Sequence, residues 1–165
     1  MRKVTDVPKY TQAELCIVVG LDPTTANNWV LRKIIRPGKI QGRDITRVRL
    51  FSELEVYRAK FVFELANSLR VAPSKAAEIR STQAAHWVRT ADRFGGHESE
   101  KIYALLEGQA EGWKSTICRR LPNSASLLGV TDDEPAALPE ASFIALSISR
   151  LISEVRFYNK ILGAR

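Results

Sequence analysis

The chain has 165 residues, 45% of them apolar and 26% charged, proportions ordinary for a soluble globular protein. A chain of this length hides roughly 70% of its unfolded surface on folding, so it needs no disulfide or metal staple. Lys and Arg total 25 against 18 Asp and Glu, a net charge of +7. Its apolar runs, around residues 15–19 and 143–152, fall short of the ~20 residues that span a bilayer. The basic start Met1-Arg2-Lys3 is followed by Asp6, Lys9 and Glu14 rather than by the apolar core of a signal peptide. A cytoplasmic protein without a membrane partner is expected. Cys16, Cys118, His86 and His97 lack paired spacing, so no metal site or other cofactor is expected.

The excess charge lies in the first half. Residues 1–80 carry 15 Lys/Arg and 8 Asp/Glu, and residues 81–165 carry 10 of each. Between residues 30 and 50, Arg32, Lys33, Arg36, Lys39, Arg43, Arg47 and Arg49 meet one acid, Asp44. Cations this dense repel one another unless an anion visits. A polyphosphate fits better than a membrane surface, because no apolar helical stripe lies opposite them.

In chain order, Thr11 and Glu14 have capping-box spacing and predict a helix start. Leu15, Cys16, Val18 and Val19 supply its buried side, and Gly20 suits its left-handed end. Asp22 then caps a second helix with Pro23 in the first turn. Ala26, Trp29 and Val30 fall on one side of it, with Trp29 expected in the core. Thr24, Thr25, Asn27, Asn28, Leu31 and Arg32 fall largely on the others. Helix, short turn, helix is an arrangement whose second member can enter the DNA major groove. Residues 34–36 and 46–51 read as β-prone, with turn formers at both ends of the stretch between them. A cationic hairpin, or wing, is expected there.

Ser52 and Glu55 form a second capping-box pattern, opening a helix with the stripe Leu54, Tyr57, Phe61, Leu65 and Leu69. Pro73 restarts the chain in one helix reaching about residue 89. This segment resembles the DNA-binding domain of the mercury-resistance-regulator (MerR) family and related excisionase-type winged helices. The resemblance rests on Tyr10-Thr11, Glu14-Leu15, Gly20-Leu21-Asp22-Pro23, Thr25, Trp29, Ile34-Ile35-Arg36-Pro37, Gly42-Arg43 and Leu50-Phe51-Ser52. It implies a winged helix-turn-helix over residues 1–93 that binds double-stranded DNA. Family members commonly carry arginine and tyrosine where this chain has Thr24, Asn27 and Asn28.

Asparagine can pair bidentately with adenine, and a threonine methyl can touch a thymine methyl. Thr24, Thr25, Asn27 and Asn28 are therefore the candidate base readers. Arg32, Lys33, Arg36 and Lys39 are the candidate phosphate contacts, which position a protein without specifying sequence. Arg43, Arg47 and Arg49 of the wing can grip phosphates or enter a minor groove narrowed by A-tracts.

Beyond a linker near residues 94–99, strands are expected over residues 101–107, 113–119 and 143–148, with an irregular stretch over 121–141. Leu151, Val155, Tyr158 and Leu162 mark a final amphipathic helix. The fold class is thus α+β, an N-terminal MerR-like winged helix-turn-helix followed by a small β-β-β-α region over residues 98–165. So few elements make a marginal independent domain, so this region is expected to lean on the first half or to dimerise as a homodimer. His86 and His97 have no nucleophile pattern nearby, and Gly95-Gly96 lacks the Lys-Ser/Thr of a phosphate loop. No enzyme is expected. The expected function is a sequence-preferring double-stranded DNA-binding transcriptional regulator of bacterial or phage type. The alternatives are an architectural DNA-binding subunit of excisionase or packaging type, and a winged-helix protein-interaction module.

Overall fold

The computed structural model describes residues 6–41, 48–94, 102–109, 112–118 and 143–163. They form six helices and two three-stranded antiparallel sheets, an α+β fold. The first sheet joins β1 (Pro8–Thr11), β2 (Lys39–Gln41) and β3 (Val48–Ser52) in the order β1-β3-β2. Between β1 and β2 run α1 (Gln12–Val19) and α2 (Pro23–Leu31). After β3 come α3 (Glu53–Asn67), α4 (Pro73–Ala76) and α5 (Ser81–Phe94). The second sheet has β4 (Tyr103–Gln109) between β5 (Gly112–Cys118) and β6 (Phe143–Ser147), and α6 (Ile148–Gly163) follows.

Local signals set the first helices. Thr11 and Glu14 bond each other's ends of the first turn of α1 reciprocally, Glu14 N–H donating to Thr11 Oγ1 at 3.3 Å and Thr11 N–H to Glu14 Oε2 at 2.7 Å. Gly20 closes the helix at φ 87°, a backbone state that other residues rarely adopt. Gly38 is needed for another reason: a Cβ there would lie 2.7 Å from the Pro8 ring, where β1 passes the start of the hairpin.

Three expectations are corrected. Residues 34–36 are not a strand, and the hairpin strand is Lys39–Gln41. Lys33 turns the chain back at φ 57°, and the Ile34 amide donates to Trp29 O at 2.8 Å, so Ile34 and Ile35 are both buried beneath the end of α2. The helix expected over residues 73–89 is broken, because Arg58 draws off the Ala77 and Ile79 carbonyls at 2.7 Å each. The second capping box is half made. Ser52 Oγ accepts the Glu55 amide, but the Glu55 carboxylate turns instead to the Arg36 amide and Arg58. The pairing of β1 with β3 had no counterpart in the sequence reading. The 94–99 linker beyond Phe94, the irregular 121–141 stretch, and Arg43 and Arg47 of the wing lie outside the described residues.

The C-terminal elements lean on the first half. The buried residues of both halves form one cluster, with Leu15 and Val19 of α1, Phe61 and Leu65 of α3, Trp87 of α5 and Leu151 and Val155 of α6. Each such aliphatic side chain contributes roughly 1.5–3 kcal/mol by leaving water. Phe61 and Trp87 meet edge to face, their ring centroids 5.1 Å apart. The second sheet is latched on by Trp113, whose indole N–H donates to Lys75 O at 2.8 Å while its carbonyl accepts from Gln83 at 2.7 Å. Ion pairs Lys60–Glu154, Arg150–Glu64 and Arg156–Asp92 bolt α6 to α3 and α5. Among the described residues no helix is long and apolar enough to cross a membrane.

Candidate nucleic-acid interface

The helix α2 is aimed by its cap. Asp22 Oδ1 accepts the Thr25 amide at 2.9 Å. The Thr25 hydroxyl and amide, with the Thr24 amide, hold the Asp22 carboxyl below its usual range, so it stays an anion at the positive end of the helix. Nearby Cys16 is a buried thiol pushed above its ordinary value by burial and by the Asp22 charge, the environment of an inert small hydrophobe. Ala26 and Trp29 bury one side of α2, and Trp29 is a core residue as expected. Thr24, Asn27, Asn28 and Leu31 are exposed on the other, at the three- and four-residue spacing that makes a single helix face.

The β2–β3 hairpin is tied to this helix. Ile40 lies directly opposite Arg49 in the antiparallel register, so both project from the same side of the sheet. From there Arg49 Nη1 donates to Asn27 Oδ1 at 2.9 Å and to Gln12 Oε1 at 3.1 Å. The Gln12 amide donates to the same Asn27 oxygen at 3.0 Å. One triad thus joins α1, α2 and β3. It lines a groove of about 520 Å³ together with Thr11, Ile40 and Val48.

Among the described residues, charge at this end is left uncompensated by ion pairs. Arg49 meets amide oxygens rather than carboxylates, so its positive charge is retained. Arg32, Lys33 and Lys39 are exposed. Among the described residues none of Arg32, Lys33, Arg36, Lys39 and Arg49 forms an ion pair, whereas Arg58, Lys60, Lys75, Arg150 and Arg156 all do. Arg36 is set apart: its amide donates to Glu55 at 2.8 Å, and it lines a different cavity of about 400 Å³ with Glu55, Arg58, Glu78 and Arg80.

The structure therefore brings Asn27 and Arg49 into contact, places Thr24 and Asn28 on the same helix face, and draws Arg36 toward α3. Gln12 and Ile40 were missed in the sequence. Gln12 occupies an unconstrained position of the capping box, and only the fold brings it to Arg49, 37 positions further along the chain. Another cavity, of about 790 Å³, lies elsewhere, between β1, the starts of α1 and α3, the end of α5 and the C-terminal half of α6. Among the described residues no three of His, Cys, Asp or Glu are grouped to hold a metal ion. No protein-family model matches the chain, and no curated protein is significantly similar to it.

Proposed function

We propose that this protein is a sequence-preferring double-stranded DNA-binding transcriptional regulator of the MerR-like winged helix-turn-helix type, acting in the cytoplasm by binding rather than catalysis. In this reading α2 is the recognition helix and enters the major groove, while the β2–β3 hairpin rests on the adjacent backbone. The observation that carries it is the Asn27–Arg49 bond. It fixes an exposed polar helix face and a cationic hairpin in one rigid orientation, beside cations that no described carboxylate neutralises. A face built only for solvent has no use for such a concentration of one sign.

The assembly we propose is a homodimer, matching the two-fold half-sites that helix-turn-helix dimers read. Its contact would be the C-terminal helix, where Phe157 and Ile161 stand exposed one turn apart. The test of DNA binding is a salt titration of affinity for random-sequence duplex, followed by fluorescence anisotropy. With about five cations on phosphates, log K falls against log salt with a slope of about −4 to −5. A flat response, or no retention at low salt, overturns the reading.

A further inference from the structure

On the footing of that DNA-binding reading, we infer that α2 recognises an adenine flanked by thymine methyl groups. Asn28 reads the adenine, and Thr24 and Leu31 make the apolar contacts on either side.

Some polar groups of α2 are already engaged inside the protein. The Thr25 hydroxyl bonds Asp22. Asn27 Oδ1 accepts from both Arg49 and Gln12, and a carbonyl oxygen has two lone pairs to give. Asn27 therefore has no acceptor left for a base and works as a positioning residue between helix and hairpin. Asn28 differs. It is exposed, and among the described residues nothing bonds its side-chain amide. It presents one acceptor and one donor side by side, the complement of adenine N6 and N7. Guanine offers two acceptors in the same place.

The neighbours on this face support the same base pair. Thr24 lies one turn before Asn28 and Leu31 one turn after. Leu31 is 73% exposed, an unusual state for a large apolar side chain. The one apolar group on a major-groove base edge is the thymine methyl, which both a leucine and a threonine methyl can cover. No Arg or Lys stands at 24, 27, 28 or 31, so the usual bidentate donor to guanine is missing from this face. From Thr24 to Leu31 the helix rises about 10 Å at about 1.5 Å per residue, close to three base steps at about 3.4 Å each.

The experiment selects duplexes from a random library with the full chain, then replaces thymines of the selected core singly by deoxyuridine, which removes only the methyl. An A·T-centred core is expected. One deoxyuridine position should weaken wild type about fourfold, the worth of one buried methyl, and leave Leu31→Ala unaffected. Asn28→Ala should lose at least about fivefold of the preference for adenine. Both side chains are exposed, so melting curves of the two variants should overlay wild type. A G·C-centred core, or indifference to deoxyuridine with DNA still bound, overturns this inference and leaves the DNA-binding reading standing. Failure to retain any duplex at low salt overturns both.

Discussion

Arg58 and Glu55 meet at 2.8 Å near the start of α3, with both side chains almost out of water. The same guanidinium donates to the carbonyls of Ile34 at 2.8 Å, Ala77 at 2.7 Å and Ile79 at 2.7 Å. One side chain thereby anchors the segment leading into the β2–β3 hairpin and the break between α4 and α5. Arg58→Leu is expected to cost about 3–5 kcal/mol in urea unfolding, because a buried carboxylate and three carbonyls lose their partner. Lysine should not rescue it, since an ammonium lacks the planar fork. The variant also carries a pH signature. Burial already pushes the Glu55 carboxyl up, against the pull of Arg58 and the Arg36 amide. Without Arg58 the folded chain holds that proton to still higher pH, so the variant loses stability as pH rises and recovers part of it on acidification.

The cap of α2 predicts the opposite sign. Hydrogen bonds from Thr25 and Thr24 lower the Asp22 carboxyl below 3.8 in the folded chain. Its contribution is complete above the unfolded value and is lost as pH falls through the lowered folded one. Asp22→Asn retains a capping oxygen without the charge. Its thermal midpoint should lie below wild type at pH 7 and converge with it once acid has protonated Asp22 in the folded chain. Equal midpoints at pH 7 would mean that the charge does nothing for α2.

These two residues also separate what the sequence could reveal from what it could not. The Asp22-Pro23 and Thr11/Glu14 signals act within one helical turn, and both helix starts follow them. The three C-terminal strands and final helix were legible for a similar reason, since their periodicity is local. Arg58 acts across 19 to 24 residues, and nothing local marks its demand on the Ala77 and Ile79 carbonyls that interrupts the expected 73–89 helix. Glu55 has capping-box spacing yet serves Arg36 and Arg58 instead. In the candidate interface, the residue types on α2 were legible. Which asparagine is engaged internally was not, because it depends on an arginine 22 residues away.

Lys33 ends α2 in the left-handed region at φ 57°, where glycine is the unstrained choice. A lysine held there costs about 1 kcal/mol, and its exposed charge lies at the candidate interface. Lys33→Gly should raise stability by up to about 1 kcal/mol while reducing the salt slope of DNA binding by about one. Arg70 has the same φ of 57° beyond the end of α3 and supplies the control. Arg70→Gly should stabilise to a similar degree and leave the salt slope unchanged. An unaltered slope in Lys33→Gly would remove Lys33 from the phosphate contacts.

On α6, Ile148, Leu151, Ile152 and Val155 face the core, and Phe157 and Ile161 turn away from it at 61% and 44% exposure. Replacing both by serine removes little packing from the monomer, so the thermal midpoint of a dilute sample should hardly move. In a two-fold dimer each change is counted twice, once per subunit. Burying one phenylalanine is worth about 1.5–3 kcal/mol, so the Phe157→Ser, Ile161→Ser protein should dissociate at concentrations at least about a hundredfold higher than wild type. Sedimentation equilibrium over the micromolar range measures this directly. Dimers of unchanged strength in the double variant would move the interface off α6, and a wild-type monomer at all concentrations would require α2 to read a single half-site alone.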